Sequence, residues 1–182
     1  YKTACHRIDS LKQFIRPGDL ITRTGNDFTS ESLKQLNRRD KRFSHCGIAS
    51  IENDSVFVYH ALGGEFNPDQ KILREPIESF GYPVSNNTLG LFRYLLTDKE
   101  NSLLLKTVKQ LYQIGISFDM KFDLKTDTCM YCAEFVYKAM LLGTGGRLKF
   151  NVSKINEFEF IGVDDLFLQS QCKELGTINL KK

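Results

Sequence analysis

The sequence predicts an α+β fold in which helices pack against an antiparallel sheet or a small barrel. Some segments repeat apolar residues at helical spacing, whereas others are short, rich in β-branched and aromatic residues, and separated by turn residues. The chain has 182 residues, of which 41% are hydrophobic. That is enough apolar material for one core, so we expect a single domain over residues 1–182.

A short helix and a strand open the chain. The helix is predicted to begin at Asp9 or Ser10, which are good N-cap residues, and to stop at Pro17 and Gly18. The strand is predicted over residues 19–22. The apolar face of the helix is formed by Leu11, Phe14 and Ile15.

A second helix is predicted to begin near Thr29 and Ser30 and to end before Arg42. Glu31 falls in its first turn, where a carboxylate interacts favourably with the helix dipole.

Residues 45–51 and 55–61 are predicted to form a hairpin, because both are rich in strand-forming residues and residues 52–54 are typical of a turn. A two-residue loop at 52–53, or a four-residue loop at 51–54, places His45 directly opposite His60. Opposed side chains on paired strands have Cβ atoms about 4.5–5.5 Å apart. One imidazole is then close enough to orient the other.

Two longer helices are predicted further along the chain. After a strand over residues 89–94, Thr97 and Glu100 form a capping box ahead of an apolar stripe that Gly115 terminates. This stripe contains Leu104, Val108 and Leu111. The second helix spans residues 131–142, with Gly143 as its C-cap. Its apolar face contains Cys132, Phe135, Val136, Ala139 and Met140.

The rest of the chain, from residue 148 to 182, alternates apolar and polar residues and is predicted to add one or two closing strands. These are centred on Phe158, Phe160 and Ile161.

The charge pattern and the apolar runs argue against a nucleic-acid-binding protein and against a membrane-spanning one. Lys and Arg exceed Asp and Glu by 25 − 22 = 3, and Asp40 interrupts the one basic cluster, residues 38–42, which is typical of a solvated face and not of a nucleic-acid site. No apolar run reaches the about 20 residues that a membrane span requires. The chain begins at Tyr1, which leaves open an upstream targeting segment.

Five cysteines cannot all pair within one chain, so we expect at least one free thiol. Cys129 and Cys132 form a C-x-x-C pair, but a zinc ribbon needs a second such pair, and the other cysteines are scattered singly. We therefore expect no metal and no organic cofactor.

The predicted placement of Cys132 in the first turn of a helix favours its thiolate, because backbone N–H groups and the positive end of the helix dipole lie there. The same N–H groups can bind an oxyanion that develops during attack on a carbonyl. His45 is the candidate base, and His60 is the candidate third member that fixes its tautomer. The alternative is structural: a buried cysteine that acts as a small hydrophobe, and histidines bonded to backbone carbonyls.

Five motifs, taken in order over residues 17–140, resemble the permuted branch of the NlpC/P60 superfamily, and more closely the YiiX-like cysteine peptidases. They are Pro17-Gly18-Asp19-Leu20-Ile21, Ser44-His45-Cys46-Gly47-Ile48, Val58-Tyr59-His60-Ala61, Phe118-Asp119 and Tyr131-Cys132-Ala133-Glu134-Phe135-Val136. The resemblance implies a circularly permuted papain-like fold, with Cys132 as nucleophile, His45 as base and Cys129 in a loop.

The chain departs from the family pattern at two positions. Ala133 stands where Ser is common, and His60 stands where many relatives have a carboxylate. A histidine there also resembles the lecithin retinol acyltransferase branch, whose members transfer acyl groups between lipids. Three neighbouring residues have roles that the sequence leaves open: Glu134 contacts substrate or caps its helix, and Tyr131 and Tyr59 line a cleft or pack in the core.

The resemblance implies a cysteine peptidase or amidase that cleaves an amide bond through a thioacyl intermediate on Cys132. Its expected partner is a small peptide, an N-acyl amide or a fragment of bacterial cell wall. The rival functions are a lipid-directed acyltransferase or phospholipase, and a binding module without activity. Cell-wall substrates favour the cell envelope or periplasm, while a reactive thiol also suits the cytoplasm. The oligomeric state is not predicted.

Overall fold

A computed structural model describes residues 1–181, and of Phe28 and Thr29 it describes the backbone alone. The strands are β1 (Leu20–Gly25), β2 (His45–Glu52), β3 (Ser55–His60), β4 (Leu73–Pro76), β5 (Asn86–Tyr94), β6 (Ser153–Ile155), β7 (Phe158–Phe160) and β8 (Cys172–Asn179). The helices are α1 (Lys2–Lys12), α2 (Phe28–Lys34), α3 (Ile77–Phe80), α4 (Asp98–Ile114), α5 (Cys132–Gly143) and α6 (Val163–Phe167).

Six strands form an antiparallel sheet in the order β4-β3-β2-β1-β5-β8, and β6 pairs with β7 in a separate two-stranded sheet. The mixed α+β architecture with helices against an antiparallel sheet agrees with the prediction, and the sheet is open in the described chain, with β4 and β8 at its edges.

The two faces of the sheet carry separate apolar clusters, because side chains alternate along each strand. Helices α4 and α5 cover one cluster, whose strand residues include Leu20, Cys46, Ile48, Tyr59 and Phe92. Helices α1 and α3 cover the other, whose strand residues include Ile21, Ala49, Val58, Leu89 and Leu91. The sheet therefore separates the α5 side of the molecule from the α3 side.

The β2–β3 hairpin turns through Asn53 and Asp54, with φ angles of 49° and 60°. Positive φ at both central positions is typical of a type I′ turn, which Asn and Asp tolerate. This turn pairs Glu52 with Ser55. The hairpin is confirmed, but its loop is neither of the two predicted.

The prediction that His45 and His60 lie directly opposite each other is therefore wrong. His60 instead lies beside Gly47, where an added Cβ would come within 2.9 Å of the His60 Cβ. The observed register differs from the predicted one by two residues, and such a shift keeps every side chain on its face. The two histidines are diagonal neighbours on the α3 side of the sheet.

Helix α1 begins earlier than predicted, so Asp9 and Ser10 lie within it and do not cap it. Phe14 lies beyond its end and is 67% exposed, whereas Ile15 is buried. The buried face consists of Ala4, Ile8 and Leu11. Ala4 contributes only one methyl group, which makes the first turn of this face hard to recognise in the sequence.

Helix α2 begins before the predicted start. Asp27 is its N-cap and accepts a hydrogen bond of 2.9 Å from the Ser30 N–H. Glu31 lies in the first turn, as expected.

The capping box of α4 is confirmed. The Thr97 N–H donates to Glu100 Oε2 over 2.8 Å, the Glu100 N–H donates to Thr97 Oγ1 over 3.2 Å, and Gly115 ends the helix with φ of 75°. Gly143 was expected to cap α5 but forms part of its last turn. A Cβ there would lie 2.9 Å from the Leu104 Cα, so Gly143 permits the close approach of α5 to α4.

The closing strands lie elsewhere than predicted. Residues 158–160 pair with 153–155 away from the main sheet, while β8 forms its edge beside β5. Helix α6 lies between β7 and β8 and was not predicted. Residue 182 lies outside the described residues. Within residues 1–181, no helix is long and apolar enough to cross a membrane.

Candidate active site

Cys132 is the first residue of α5, as predicted, and its side chain is 7% exposed. A hydrogen bond from the Cys46 thiol, followed by those from the Ala133 and Cys46 N–H groups and the charge of Arg23, lowers the pKa of Cys132 although burial opposes this. Burial and the neighbouring Cys132 raise the pKa of Cys46 well above its ordinary value. Of the two thiols, Cys132 is the one prepared to become a thiolate.

The Cys46 N–H is open to this sulfur because β3 stops pairing with β2 at Ile48. Beyond that point β2 lacks a partner strand on its β3 side, and its backbone donors need another acceptor. The Cys46 N–H acts on the Cys132 sulfur and lowers the pKa of that thiol. The N–H groups of Cys46 on β2 and Ala133 on α5 therefore both lower the pKa of Cys132.

His45, His60 and Glu75 form a hydrogen-bonded chain across three neighbouring strands. His45 Nε2 lies 2.8 Å from His60 Nδ1, and His60 Nε2 lies 2.9 Å from Glu75 Oε2. The contact between the two predicted histidines is thus present despite the error in register. Glu75 extends the chain on β4 to a carboxylate.

The carboxylate assigns the tautomers of both rings. An ionised Glu75 can only accept, so the proton of the second bond is on His60 Nε2. A neutral His60 then has a bare Nδ1, which accepts from a protonated His45 Nε2. In a neutral His45 the remaining nitrogen, Nδ1, carries a lone pair. The chain therefore leaves His45 Nδ1 as a base.

The environment keeps both rings neutral. Burial, with the nearby charges of Arg23 and His60, lowers the pKa of His45 well below its ordinary value. Burial also lowers the pKa of His60, which the hydrogen bond to Glu75 partly offsets. That same bond lowers the pKa of Glu75, which remains a carboxylate. A neutral imidazole is the form that can take a proton from a thiol.

Phe80, the last residue of α3, packs against both rings. Its ring centroid lies 5.7 Å from that of His45 and 5.0 Å from that of His60. It excludes water from the His45–His60 bond.

Cys132 and His45 approach the same place from different sides. The side chains of His45 and Cys46 alternate on β2, so the His45 ring lies toward Phe80 while Cys132 lies with Cys46 on the α5 side. Within residues 1–181 no hydrogen bond joins the Cys132 thiol to His45. The catalytic pairing of Cys132 with His45 therefore stays a prediction.

Two cavities meet between these groups. His45 lines a cleft of about 770 Å³, and Cys132 lines a small cavity of about 10 Å³. Leu33, Ser44 and Phe122 line both. A substrate in the cleft would reach Cys132 past these three side chains.

The neighbours of Cys132 hold the loop before α5. Glu134 is fully buried, accepts a 3.1 Å bond from the Tyr131 N–H and pairs with Lys138 at 2.8 Å. Burial raises the pKa of Glu134 to about 7, against the opposing effect of Lys138. The Tyr131 hydroxyl donates to the Ile161 carbonyl over 3.1 Å and accepts from its N–H over 2.8 Å. Glu134 therefore caps its helix, whereas Tyr131 both packs in the core and lines the small cavity beside Cys132.

Tyr59 and Cys129 lie outside the site. The Tyr59 hydroxyl donates to Glu52 over 2.8 Å, on the α5 side of the sheet. Cys129 lies in the loop before α5, as expected, with its sulfur 3.6 Å from Thr126 Oγ1.

Sequence reasoning missed Glu75, Arg23 and the contact of Cys46 with Cys132. Glu75 and Arg23 are single charged residues in strands, and no spacing rule connects either of them to a histidine on another strand. The one available signal is the family pattern itself, which has a carboxylate in place of His60. The carboxylate is present one strand further out.

All five cysteines are free thiols. Across residues 1–181 no group of three or more His, Cys, Asp and Glu side chains is arranged to hold a metal ion.

Acidic partners neutralise part of the basic cluster at residues 38–42. Arg42 pairs with Asp40 and Glu174, and Arg39 pairs with Asp165.

The fold and the site together define a class of protein. In this class a thiol lies at the start of a helix that packs on an antiparallel sheet, and the sheet carries a hydrogen-bonded chain of two imidazoles and a carboxylate. No protein-family model and no curated protein matches the sequence. Among solved structures the chain is similar to "Crystal structure of metalloprotein yiiX from Escherichia coli O157:H7, DUF1105". The TM-score is 0.71 and the identity 19%, over 88% of this chain and 96% of that one. This similarity shows a YiiX-like fold.

Proposed function

We propose that this protein is a cysteine hydrolase with a permuted papain-like fold, in which Cys132 attacks an amide carbonyl and His45 transfers the proton. The observation that carries the proposal is the chain from Glu75 through His60 to His45, which ends on the strand residue next to Cys46. The Cys46 N–H and thiol both lower the pKa of the Cys132 thiol. Strand β2 thus carries the base of assigned tautomer and, on the next residue, the neighbour that lowers the pKa of the Cys132 thiol on α5.

The reaction begins when His45 Nδ1 removes the thiol proton of Cys132 and the sulfur attacks the carbonyl carbon of the substrate. We assign stabilisation of the oxyanion to the N–H groups of Ala133 and Cys46, which act on the Cys132 sulfur before the attack. His45 then gives its proton to the departing amine as the C–N bond breaks, which leaves a thioester on Cys132. Water attacks the thioester, His45 takes a proton from it, and the acid is released with the regenerated thiol.

Glu75 and His60 stabilise the His45 imidazolium that exists between these proton transfers. The charge on Glu75 acts through two hydrogen bonds, as the third member of a catalytic triad acts through one. His60 is thus a positioning residue between Glu75 and the base, and it substitutes for the carboxylate that relatives have at its position.

The substrates that the resemblance implies are small peptides, N-acyl amides and cell-wall fragments, which fits a role in the cell envelope. A lipid-directed acyltransferase or phospholipase is a second candidate, because the cleft beside His45 has exposed apolar side chains. Phe66 is fully exposed and Met120 is 41% exposed. These side chains suit an acyl chain as well as an apolar peptide side chain.

The similar YiiX protein is described as a metalloprotein. The residues of this chain do not fit such a site, because the described part of the chain has no cluster of three potential ligands, and both His60 nitrogens are used within the chain to Glu75. The proposed reaction has no metal-dependent step.

The test is the pH dependence of iodoacetamide labelling of the native protein, with the labelled cysteine located by mass spectrometry. We expect Cys132 to label selectively, with an apparent pKa well below the about 8.5 of a free thiol, and His45→Ala to remove this advantage. His6→Ala is the matched control. If Cys132 labels no faster than Cys172, or is indifferent to His45, a binding module without activity becomes the better interpretation.

A further inference from the structure

Arg23 lies beside the base on the neighbouring strand. It pairs in register with His45 across β1 and β2, and its side chain is on the same face. Arg23 lines the cleft of about 770 Å³ that His45 also lines. It lines in addition a second cavity of about 590 Å³, whose walls include Glu75 and Tyr82. Its guanidinium therefore lies where the two cavities join.

The guanidinium is held in place without a counter-ion. Its Nη1 donates to the Phe80 carbonyl over 2.5 Å, and its Cζ lies 4.5 Å from the centre of the Phe80 ring. Among the described residues no carboxylate forms an ion pair with Arg23, whereas Arg93 and Arg74 each pair with one, at 2.7 Å and 2.6 Å. The remaining N–H donors of the Arg23 guanidinium have no hydrogen-bond partner among the described residues.

Partial burial of a charge that has no ion-pair partner is costly, and it lowers the pKa of the half-buried Arg23 despite the charges of Glu75, Cys132 and Asp27. An anionic group in the cleft would offset this cost, and the planar fork of an arginine matches a carboxylate well. A doubly charged phosphate fits less well, because the cavities also contain the carboxylates of Glu75, Glu78 and Glu65.

We propose that Arg23 binds a carboxylate group of the substrate, next to the bond that Cys132 attacks. The proposal rests on the proposed hydrolase function and narrows its substrates to acyl donors with a free carboxylate near the scissile amide, such as an amide next to a peptide C-terminus or an acidic side chain.

Two alkylating reagents test the proposal without a known substrate. Iodoacetate and iodoacetamide are similar in size and both need the thiolate, so a change in the pKa of Cys132 cancels in the ratio of their rates. We expect Arg23→Gln to lower the ratio of iodoacetate to iodoacetamide labelling of Cys132 by about fivefold or more, because one close charge is lost. Arg23→Lys, which keeps the charge but loses the fork, should give an intermediate ratio.

Arg16→Gln is the matched control, because Arg16 is an exposed arginine that precedes the start of β1, the end of the strand away from Arg23. Its ratio should equal that of the unaltered protein. If Arg23→Gln changes the ratio no more than Arg16→Gln, the carboxylate site is refuted even if Cys132 remains selectively reactive.

A second measurement applies even if Cys132 does not label. The side-chain Nε–H signal of Arg23 in nuclear magnetic resonance should shift on titration with N-acetylglycine and not with the neutral N-acetylglycinamide. A shift in the absence of selective labelling would support an anion site and reject the hydrolase. Equal responses to both compounds would reject the carboxylate site.

Discussion

Replacing Glu75 by Gln tests the chain of hydrogen bonds that we propose makes His45 a base. The amide can still accept from His60 Nε2 in a geometry close to the present 2.9 Å, so the change removes the charge and little else. A hydrogen bond to a charged group contributes about 1.5–3 kcal/mol and a neutral one about 0.5–1.5 kcal/mol. The difference is about 1–1.5 kcal/mol, and it is an upper bound because the Glu75 side chain is 34% exposed and partly screened.

This difference corresponds to at most about one pH unit, since one unit equals about 1.36 kcal/mol. The carboxylate stabilises the His45 imidazolium that forms with the Cys132 thiolate, so Glu75→Gln should move the labelling midpoint of Cys132 to higher pH. Below the midpoint, the labelling rate should fall by up to about tenfold.

The assay is the second-order rate of iodoacetamide labelling of Cys132 from acidic to alkaline pH, with thermal unfolding measured on the same samples. Glu78→Gln is the matched control, because Glu78 is close in sequence but pairs with Lys12. If the Glu75→Gln profile overlays that of the control while both variants stay folded, Glu75 does not act on the thiol through the histidines.

Three further predictions concern pH, access and packing. Burial lowers the pKa of His45 and His60, so the unfolded chain takes up protons that the folded chain does not; the free energy of unfolding should fall by up to about 2 kcal/mol per histidine from pH 6.5 to 5. In urea unfolding, the variant with both His45→Asn and His60→Asn should lose less unfolding free energy over this pH range. An equal loss would contradict the assignment of the effect to these two histidines. Phe122→Ala should open the small cavity and speed iodoacetamide labelling of the nucleophile severalfold; an unchanged rate would show that this ring does not limit access. Gly143→Ala should cost about 1–3 kcal/mol by overpacking against α4, and an unchanged melting temperature would refute that close contact.

The sequence predicts those parts of the site that depend on local periodicity. Cys132 lies at a helix start because the apolar stripe behind it has helical spacing and Tyr131 precedes it in an extended conformation. The histidines share a face because alternation along strands is insensitive to a shift of two residues. Their pairing depends instead on which two residues form the turn, and Asn53 with Asp54 tolerates positive φ better than Glu52 with Asn53.

The contribution of β4 could not be predicted. This strand has four residues, none of them buried, so it has no alternation of apolar and polar side chains that would reveal it. Glu75 reaches His60 only because β4 pairs with β3 after a connection of twelve residues. Contacts of this kind depend on the path of the whole chain, as does the contact between Cys46 and Cys132.

Strand β2 directs the side chains of His45 and Cys46 to opposite sides of the sheet, which limits where the proposed base, His45, and the proposed nucleophile, Cys132, can meet. Through the sheet they are separated by the backbone, whereas the cavities that His45 and Cys132 line share Ser44, just before β2, so the proposed proton transfer takes place around the start of that strand. A slip of one residue between β1 and β2 would turn Cys46 toward Phe80 and His45 toward α5, and would break both the contact to Cys132 and the chain to Glu75. The pairing of Arg23 with His45 therefore sets the register on which the proposed chemistry and the proposed carboxylate site both depend.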